Sequence, residues 1–361
     1  MGTEWALTRA LERAAALAGQ GLDSQAFRTA ALGILTAAVP HDAWVWPMTD
    51  PVTQVGIAPM AKVPCTRELP LLIRLKYTTP VNRWTALPTG PPRAVSLQGA
   101  TSGDPARSAL WDGILRRYGV GDVLSVAFAD KWGTWGWLDL WRGQDMPPFT
   151  AGEAGFLTAL ATVLTTGLRD CSAREFLLAG SDRKAKPGSY HRQALLVVSE
   201  DLLVAGETNS ARLWLDLLQP GPRPFQTVPA EVLNVAAQLL AVESGVDGHP
   251  AGSCVHVGSG VWAKLAAARM QSADGPLGQL VVTIQDCLPA ERMAVFERCF
   301  ALSPRECQLL ELAAAGLNTA ALAHAVAISS YTVQDVFKSL FGKCHVQSRA
   351  ALLALALGPL A

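Results

Sequence analysis

Tyr331, Gln334, Asp335 and Lys338 alternate with Val333, Phe337, Leu340 and Cys344, the apolar residues recurring at i, i+4, i+7 and i+11. On a helix this spacing gathers the apolar side chains into one stripe and turns the polar ones, with Gly342, to the opposite face. Such an outer face can read the edges of planar bases. A Gln amide pairs bidentately with adenine, and a carboxylate accepts from the amino group of cytosine. Lysine and hydroxyl groups can hold phosphate. Ser329 stands three residues before Thr332, where its side chain caps the first turn. The two hydroxyls and the first helical amides then point at whatever anion approaches that end.

The surrounding sequence supplies the elements that position this face. Ser303 is an N-cap, Pro304 sits at N1 and Glu306 at N3, which together make a capping box. That helix runs to about Ala315 and stops at Gly316. Asn318 caps a short helix over residues 319–326. The turn Ala327-Ile328-Ser329 leads into the polar-faced helix, and Ser348 caps a fourth helix of Ala and Leu. Two short helices joined by a tight turn form a helix-turn-helix.

The residues Leu302-Ser303-Pro304-Arg305-Glu306, Leu309-Leu310, Gly316-Leu317, Leu322-Ala323, Ile328-Ser329, Thr332-Val333, Lys343, Val346 and Ser348-Arg349 resemble the LuxR/GerE-type DNA-binding domain of bacterial transcription regulators. The resemblance implies a four-helix domain without a wing, double-stranded DNA as partner and a regulatory rather than an enzymatic role. Tyr331, Gln334 and Asp335 would face outward to the groove, with Arg305, Lys338, Lys343, Arg349 and the Ser329 and Thr332 hydroxyls available for the phosphate backbone. The chain departs from the family at Ala320 and Gln334, where Lys is usual, at Asp335, where Asn or a similar donor is usual, and at Gln347, where Arg is common. Residues 302–361 hold four cations (Arg305, Lys338, Lys343, Arg349) against three anions (Glu306, Glu311, Asp335). Phosphate neutralisation supplies much of DNA affinity, so weaker binding and a shallow salt dependence are expected. A rival role is a protein-interaction module with a degenerate helix-turn-helix. The apolar end "ALLALALGPL" fits a dimer seam and internal packing equally well.

The whole chain has 361 residues, half of them apolar, and no formal net charge. Two or three domains are expected, with no global field to draw the molecule to nucleic acid or an anionic membrane. Seven cysteines at irregular spacing form no C-x-x-C, and Cys254 with His256 is too small a set for a metal. They read as reduced thiols of a cytoplasmic protein. The N-terminus lacks a signal-type core and a myristoylation pattern, and the longest apolar runs fall short of a bilayer. No P-loop, receiver-type acidic pocket, nucleophile–base pair or cofactor motif is present. Ser181 to Lys184 matches S-x-x-K, but the motifs that would accompany it in a β-lactamase are missing.

Helices are expected over 4–18 and 23–39, with Asp23 or Ser24 as cap of the second, and mixed strand and loop over 40–105. Two alternating strands follow at 121–130 and 133–142, then a helix closing near 171. A polar, basic linker spans 179–192. A second α+β block covers 193–290, a connecting helix 291–300, and the helix-turn-helix domain 301–361. No internal repeat is visible. The first block (1–178, with its core from about 20 to 172) resembles a GAF-type domain and the second a PAS-type domain, both α+β folds with antiparallel sheets and flanking helices. That order resembles regulators of high-GC actinobacteria. It implies that these blocks sense a small-molecule effector or a partner and control a DNA-binding homodimer, with no bound cofactor and no membrane. In "KWGTWGWLDLWR", strand alternation puts Trp135, Trp137, Asp139 and Trp141 on one face. With Trp44 and Trp46 they would form either the wall of a ligand pocket or plain sheet packing whose indole N–H groups find partners.

Overall fold

The computed structural model describes residues 2–90, 92–181, 193–221, 228–258, 260–271 and 278–358. Helices α1 (Gly2–Ala18) and α2 (Ser24–Ala38) open the chain, and Asp23 caps α2 by accepting from the Ala26 amide at 2.8 Å. Strands β1 (Ala43–Thr49) and β2 (Gly56–Lys62) follow, then α3 (Leu69–Thr78), β3 (Val95–Ser96), α4 (Leu97–Ala100), α5 (Ala109–Gly113), β4 (Val120–Asp130), β5 (Gly133–Gly143) and α6 (Ala151–Ser181). The antiparallel sheet has the order β2-β1-β5-β4-β3. One face packs Trp46, Leu124, Val126, Leu138 and Leu140 against Phe27 and Leu35 of α2 and Leu160 and Leu164 of α6. The other packs Val45, Val123 and Trp137 under Leu72, Ile73 and Tyr77 of α3.

The sequence expectation of strand and loop over 40–105 missed α3. Its start is hidden by Pro70, which suits a first helical turn because its ring fixes φ and it needs no donor. Its end follows from Thr79 (φ −68°, ψ 139°), held extended by Pro80. Helix α6 also runs on past 171. Over Ala151–Leu178, 28 residues, it has the length and apolar content to cross a membrane. Here that surface is used in the core, where Leu157, Leu160, Leu164 and Leu168 are buried. The expected linker lies outside the described residues from 182 onward, as does the end of the Ser181-x-x-Lys184 motif.

The second block contains β6 (Ala194–Val198), β7 (Val204–Glu207), α7 (Ala211–Leu218), α8 (Ala230–Glu243), β8 (Gly252–His256), β9 (Trp262–Arg269) and β10 (Leu280–Asp286). Its antiparallel sheet runs β7-β6-β10-β9-β8. Counted within each block, both sheets therefore have the order 2-1-5-4-3, a repeat of topology that the sequence does not show. Helix α8 joins the blocks. Glu231 accepts from the Ala58 amide at 2.9 Å, and the Asn234 amide donates to the Gly56 carbonyl at 2.8 Å, both on β2. The chain ends in α9 (Pro289–Cys299), α10 (Pro304–Ala314), α11 (Thr319–Ala325), α12 (Ser330–Cys344) and α13 (Arg349–Leu357).

Candidate nucleic-acid interface

The four C-terminal helices form as their caps dictate. The Ser303 hydroxyl accepts from the Glu306 amide at 3.3 Å, and the Glu306 carboxylate accepts from the Ser303 amide at 2.7 Å. Gly316 (φ +90°) supplies the left-handed residue after α10. Asn318 accepts from the Ala321 amide at 3.0 Å and starts α11. The turn into α12 passes through Ala327 (φ +52°) and is closed by the Ile328 amide on the Ala323 carbonyl at 3.0 Å. Ser329 then caps α12, its hydroxyl accepting from the Thr332 amide at 3.0 Å and meeting the Thr332 hydroxyl at 2.9 Å.

Val333, Phe337, Leu340 and Cys344 are buried against the rest of the domain, as their spacing requires. Tyr331, Thr332, Gln334, Asp335 and Lys338 are exposed, Tyr331 at 70%. The N-terminal half of α12 thus presents a polar face on a helix anchored by its opposite side. Lys338 lies 3.5 Å from Asp335, so the one charge partly neutralises the other. Arg305 is exposed on α10 and donates to the Gln308 side chain at 3.1 Å.

Two of the expected backbone-contacting cations are engaged inside the domain. Lys343 pairs with buried Glu306 at 2.6 Å, and the same carboxylate accepts from the Ser339 hydroxyl at 2.8 Å, which ties α12 to α10. Burial alone would raise the Glu306 pKa. Lys343, the Ser303 amide and the Ser339 hydroxyl outweigh it and hold the value at about 2. Arg349 donates to the Ala313 carbonyl in the last turn of α10 and to the Leu317 carbonyl in the loop after it, and lies over the Phe337 ring at 5.4 Å. These two residues bind helix to helix, and the sequence carried no signal of their partners beyond the capping-box glutamate.

Helix α13 packs one side of the apolar C-terminal run inside the chain. Leu352, Leu355 and Ala356 are buried, and Arg292 of α9 donates to the Leu355 carbonyl at 3.1 Å.

Residues 301–356 match the family model described as bacterial regulatory proteins, luxR family. The C-terminal helices are therefore a LuxR-type helix-turn-helix domain, and such a domain implies a DNA-binding transcription regulator, not an enzyme. No curated protein matches the chain.

Of the two uses open to the five tryptophans, a pocket wall or sheet packing, the structure has packing, divided between the two faces of the sheet. Trp44 pairs with Leu140 and so stands on the α2/α6 side with Trp46, while Trp137 and Trp141 face the α3 side. Trp135 departs from the expected alternation because the register slips between Phe128–Gly136 and Ala129–Thr134. The extra residue on β5 is a bulge that sends Trp135 to the α2/α6 core. Trp46 stacks on Phe128 at 5.0 Å, and Trp137 on Trp84 at 5.2 Å. The expectation that the indoles find partners also fails: among the described residues the N–H groups of Trp46, Trp135, Trp137 and Trp141 meet no acceptor. Trp141 borders a cleft of about 580 Å3 whose walls include Lys62, Val63, Tyr118 and Arg142. Asp139, on the same face, is buried with Lys76 at 3.0 Å, the Ser125 hydroxyl at 2.6 Å and the Trp84 indole at 3.1 Å. His256 packs on Trp262 at 5.3 Å, and burial lowers its pKa to about 4, as for a structural neutral imidazole. Among the described residues no cluster of His, Cys, Asp and Glu could hold a metal ion.

Proposed function

We propose that this chain is a sequence-specific transcription regulator that binds double-stranded DNA as a homodimer in the cytoplasm, and whose two α+β blocks sense a small molecule or a partner. The observation that carries the DNA-binding part is the exposed polar face of α12 on a family-matched helix-turn-helix. Ser329, Tyr331, Thr332, Gln334 and Asp335 supply base and sugar-phosphate contacts, and Lys338 and Arg305 supply charge. Lys343 and Arg349 serve chiefly by holding α10, α12 and α13 together. The GAF-like and PAS-like reading of the two blocks is supported by their shared strand order, and an effector would enter the cleft beside Trp141 rather than a pocket walled by all five tryptophans. Leu352, Leu355 and Ala356 of α13 are packed inside the chain, so a homodimer that uses α13 meets through its remaining face. The test is selection of fragments of its own genome by the purified chain at two salt concentrations. A shared two-fold motif that is lost at high salt supports the reading, and the absence of any enrichment at low salt, also after release of residues 301–361 from the rest, sinks it.

A second reading, a protein-interaction module, is favoured by the pairing of Lys338 with Asp335 and of Lys343 with Glu306, which leaves α12 with little free positive charge. It predicts that Gln334→Lys with Asp335→Asn creates DNA binding where the native chain has none.

A further inference from the structure

Cys254 on β8 and Cys287, the residue after β10, are 33 positions apart, yet their sulfurs lie 3.2 Å from each other. The sheet brings them together across the end of β9. Cys254 is paired in register with Lys264, and the Cys287 amide donates to the Trp262 carbonyl at 2.8 Å. Two side-chain donors reach the Cys254 sulfur, one of which, the Cys287 thiol, also has the Glu291 carboxylate within reach. The Cys287 thiol donates to Cys254 Sγ, and the Lys264 ammonium lies 3.9 Å from it. Burial opposes the charge on Lys264, but Cys254, Asp50 and Glu291 around it more than offset this and hold its pKa above the ordinary value. The Glu291 carboxylate is 3.8 Å from Cys287 Sγ and 3.7 Å from Lys264. Cys254 is 3% exposed while Cys287 is half-buried, so the pair has one side open to a small reagent.

We propose that Cys254 and Cys287 are a peroxide-oxidised dithiol that closes to a disulfide and shifts the start of α9. The sulfur of Cys287, the half-buried member, attacks one oxygen of hydrogen peroxide. The O–O bond breaks, the departing oxygen takes the thiol proton and leaves as water, and Cys287 becomes a sulfenic acid. Cys254 Sγ, beside the Lys264 ammonium, then attacks that sulfur. The S–S bond forms, the S–O bond breaks, and the hydroxyl leaves as a second water with the Cys254 proton. Two thiols lose two electrons in all and the peroxide gains them. The S–S bond is about 2.05 Å, so the sulfurs must close by roughly 1 Å.

That movement has a place to go. Cys287 directly precedes Leu288, the N-cap of α9, whose amide donates to Glu291 at 2.9 Å. The next turn carries Arg292, which holds α13 through the Leu355 carbonyl. On the other side, the Cys254 amide donates to Asp50 at 2.7 Å, just past β1. The dithiol therefore sits where the first sheet, the second sheet and the helix leading to the C-terminal domain meet.

The experiment treats the full chain at neutral pH with a small molar excess of hydrogen peroxide and maps its peptides without reduction. Amide exchange of residues 289–299 and 349–357 is followed in parallel. The expected result is loss of two of the seven thiols, a cross-link joining 254 to 287, and a several-fold change in exchange in α9 and α13. Cys287→Ser and Cys254→Ala should each abolish both the cross-link and the exchange change. The first alters only a half-buried site, which keeps the test available if the second fails to fold. A natively folded chain that forms no such cross-link, that cross-links other cysteines instead, or that forms it with unchanged exchange in α9 and α13 overturns the proposal.

Discussion

Glu306 is the point at which the helix-turn-helix can be loosened without touching its outer face. Its carboxylate receives Lys343 at 2.6 Å, the Ser303 amide at 2.7 Å and the Ser339 hydroxyl at 2.8 Å. Holding its pKa at about 2, against an ordinary 4.5, corresponds to about 3 kcal/mol of stabilisation at neutral pH. The Lys343 side chain is 37% exposed, and screening there brings the expected loss on Glu306→Gln to about 2 kcal/mol. The contribution is complete above about 4.5 and drains away as the pH falls toward about 2. Amide exchange of 304–314 and 330–344 in the full chain reads the local opening. Glu306→Gln should speed it about 30-fold at pH 7. At pH 3, after correction for intrinsic rates, less than about half of that free-energy difference should remain. A change below about threefold at pH 7, or one that grows on acidification, would refute the linkage.

Three further substitutions test the packing. Lys76→Met leaves the Asp139 carboxylate buried without its cation and should cost about 3–5 kcal/mol in thermal unfolding of the first block, with Asp139→Leu added beside it restoring part of the loss. Arg349→Ala should act on stability, lowering protection of α10 and α13 by about 2 kcal/mol, since its donors are committed to the Ala313 and Leu317 carbonyls. Gly316→Ala meets no steric neighbour but puts a Cβ at φ +90°, so exchange in α10 and α11 should report a cost of about 1 kcal/mol.

What the sequence revealed best is what local rules decide. Ser303, Asn318, Ser329 and Ser348 cap their helices through contacts three residues away, and the Val333-Phe337-Leu340-Cys344 stripe needs only a period, so the helix-turn-helix could be read residue by residue. The failures are those of tertiary context. Helix α3 has no side-chain cap, and Pro70 in its first turn reads as readily as part of a proline-rich loop. Trp135 obeys alternation until a one-residue bulge reverses it. Lys343 and Arg349 look like free cations because Glu306 and the Ala313 and Leu317 carbonyls lie more than thirty residues away. The Cys254–Cys287 contact depends on β9 running between two strands, which no spacing rule encodes.

On the proposed function, the outer face of α12 reads base edges. The direct measurement is the motif selected from random double-stranded DNA by the native chain, by Gln334→Ala and by Lys338→Ala. Gln334→Ala should relax the preference at one position of each half-site. Lys338→Ala should weaken all sequences alike and lower the salt slope by about one. Identical motifs and affinities for all three chains, or no selection by any of them, would contradict it.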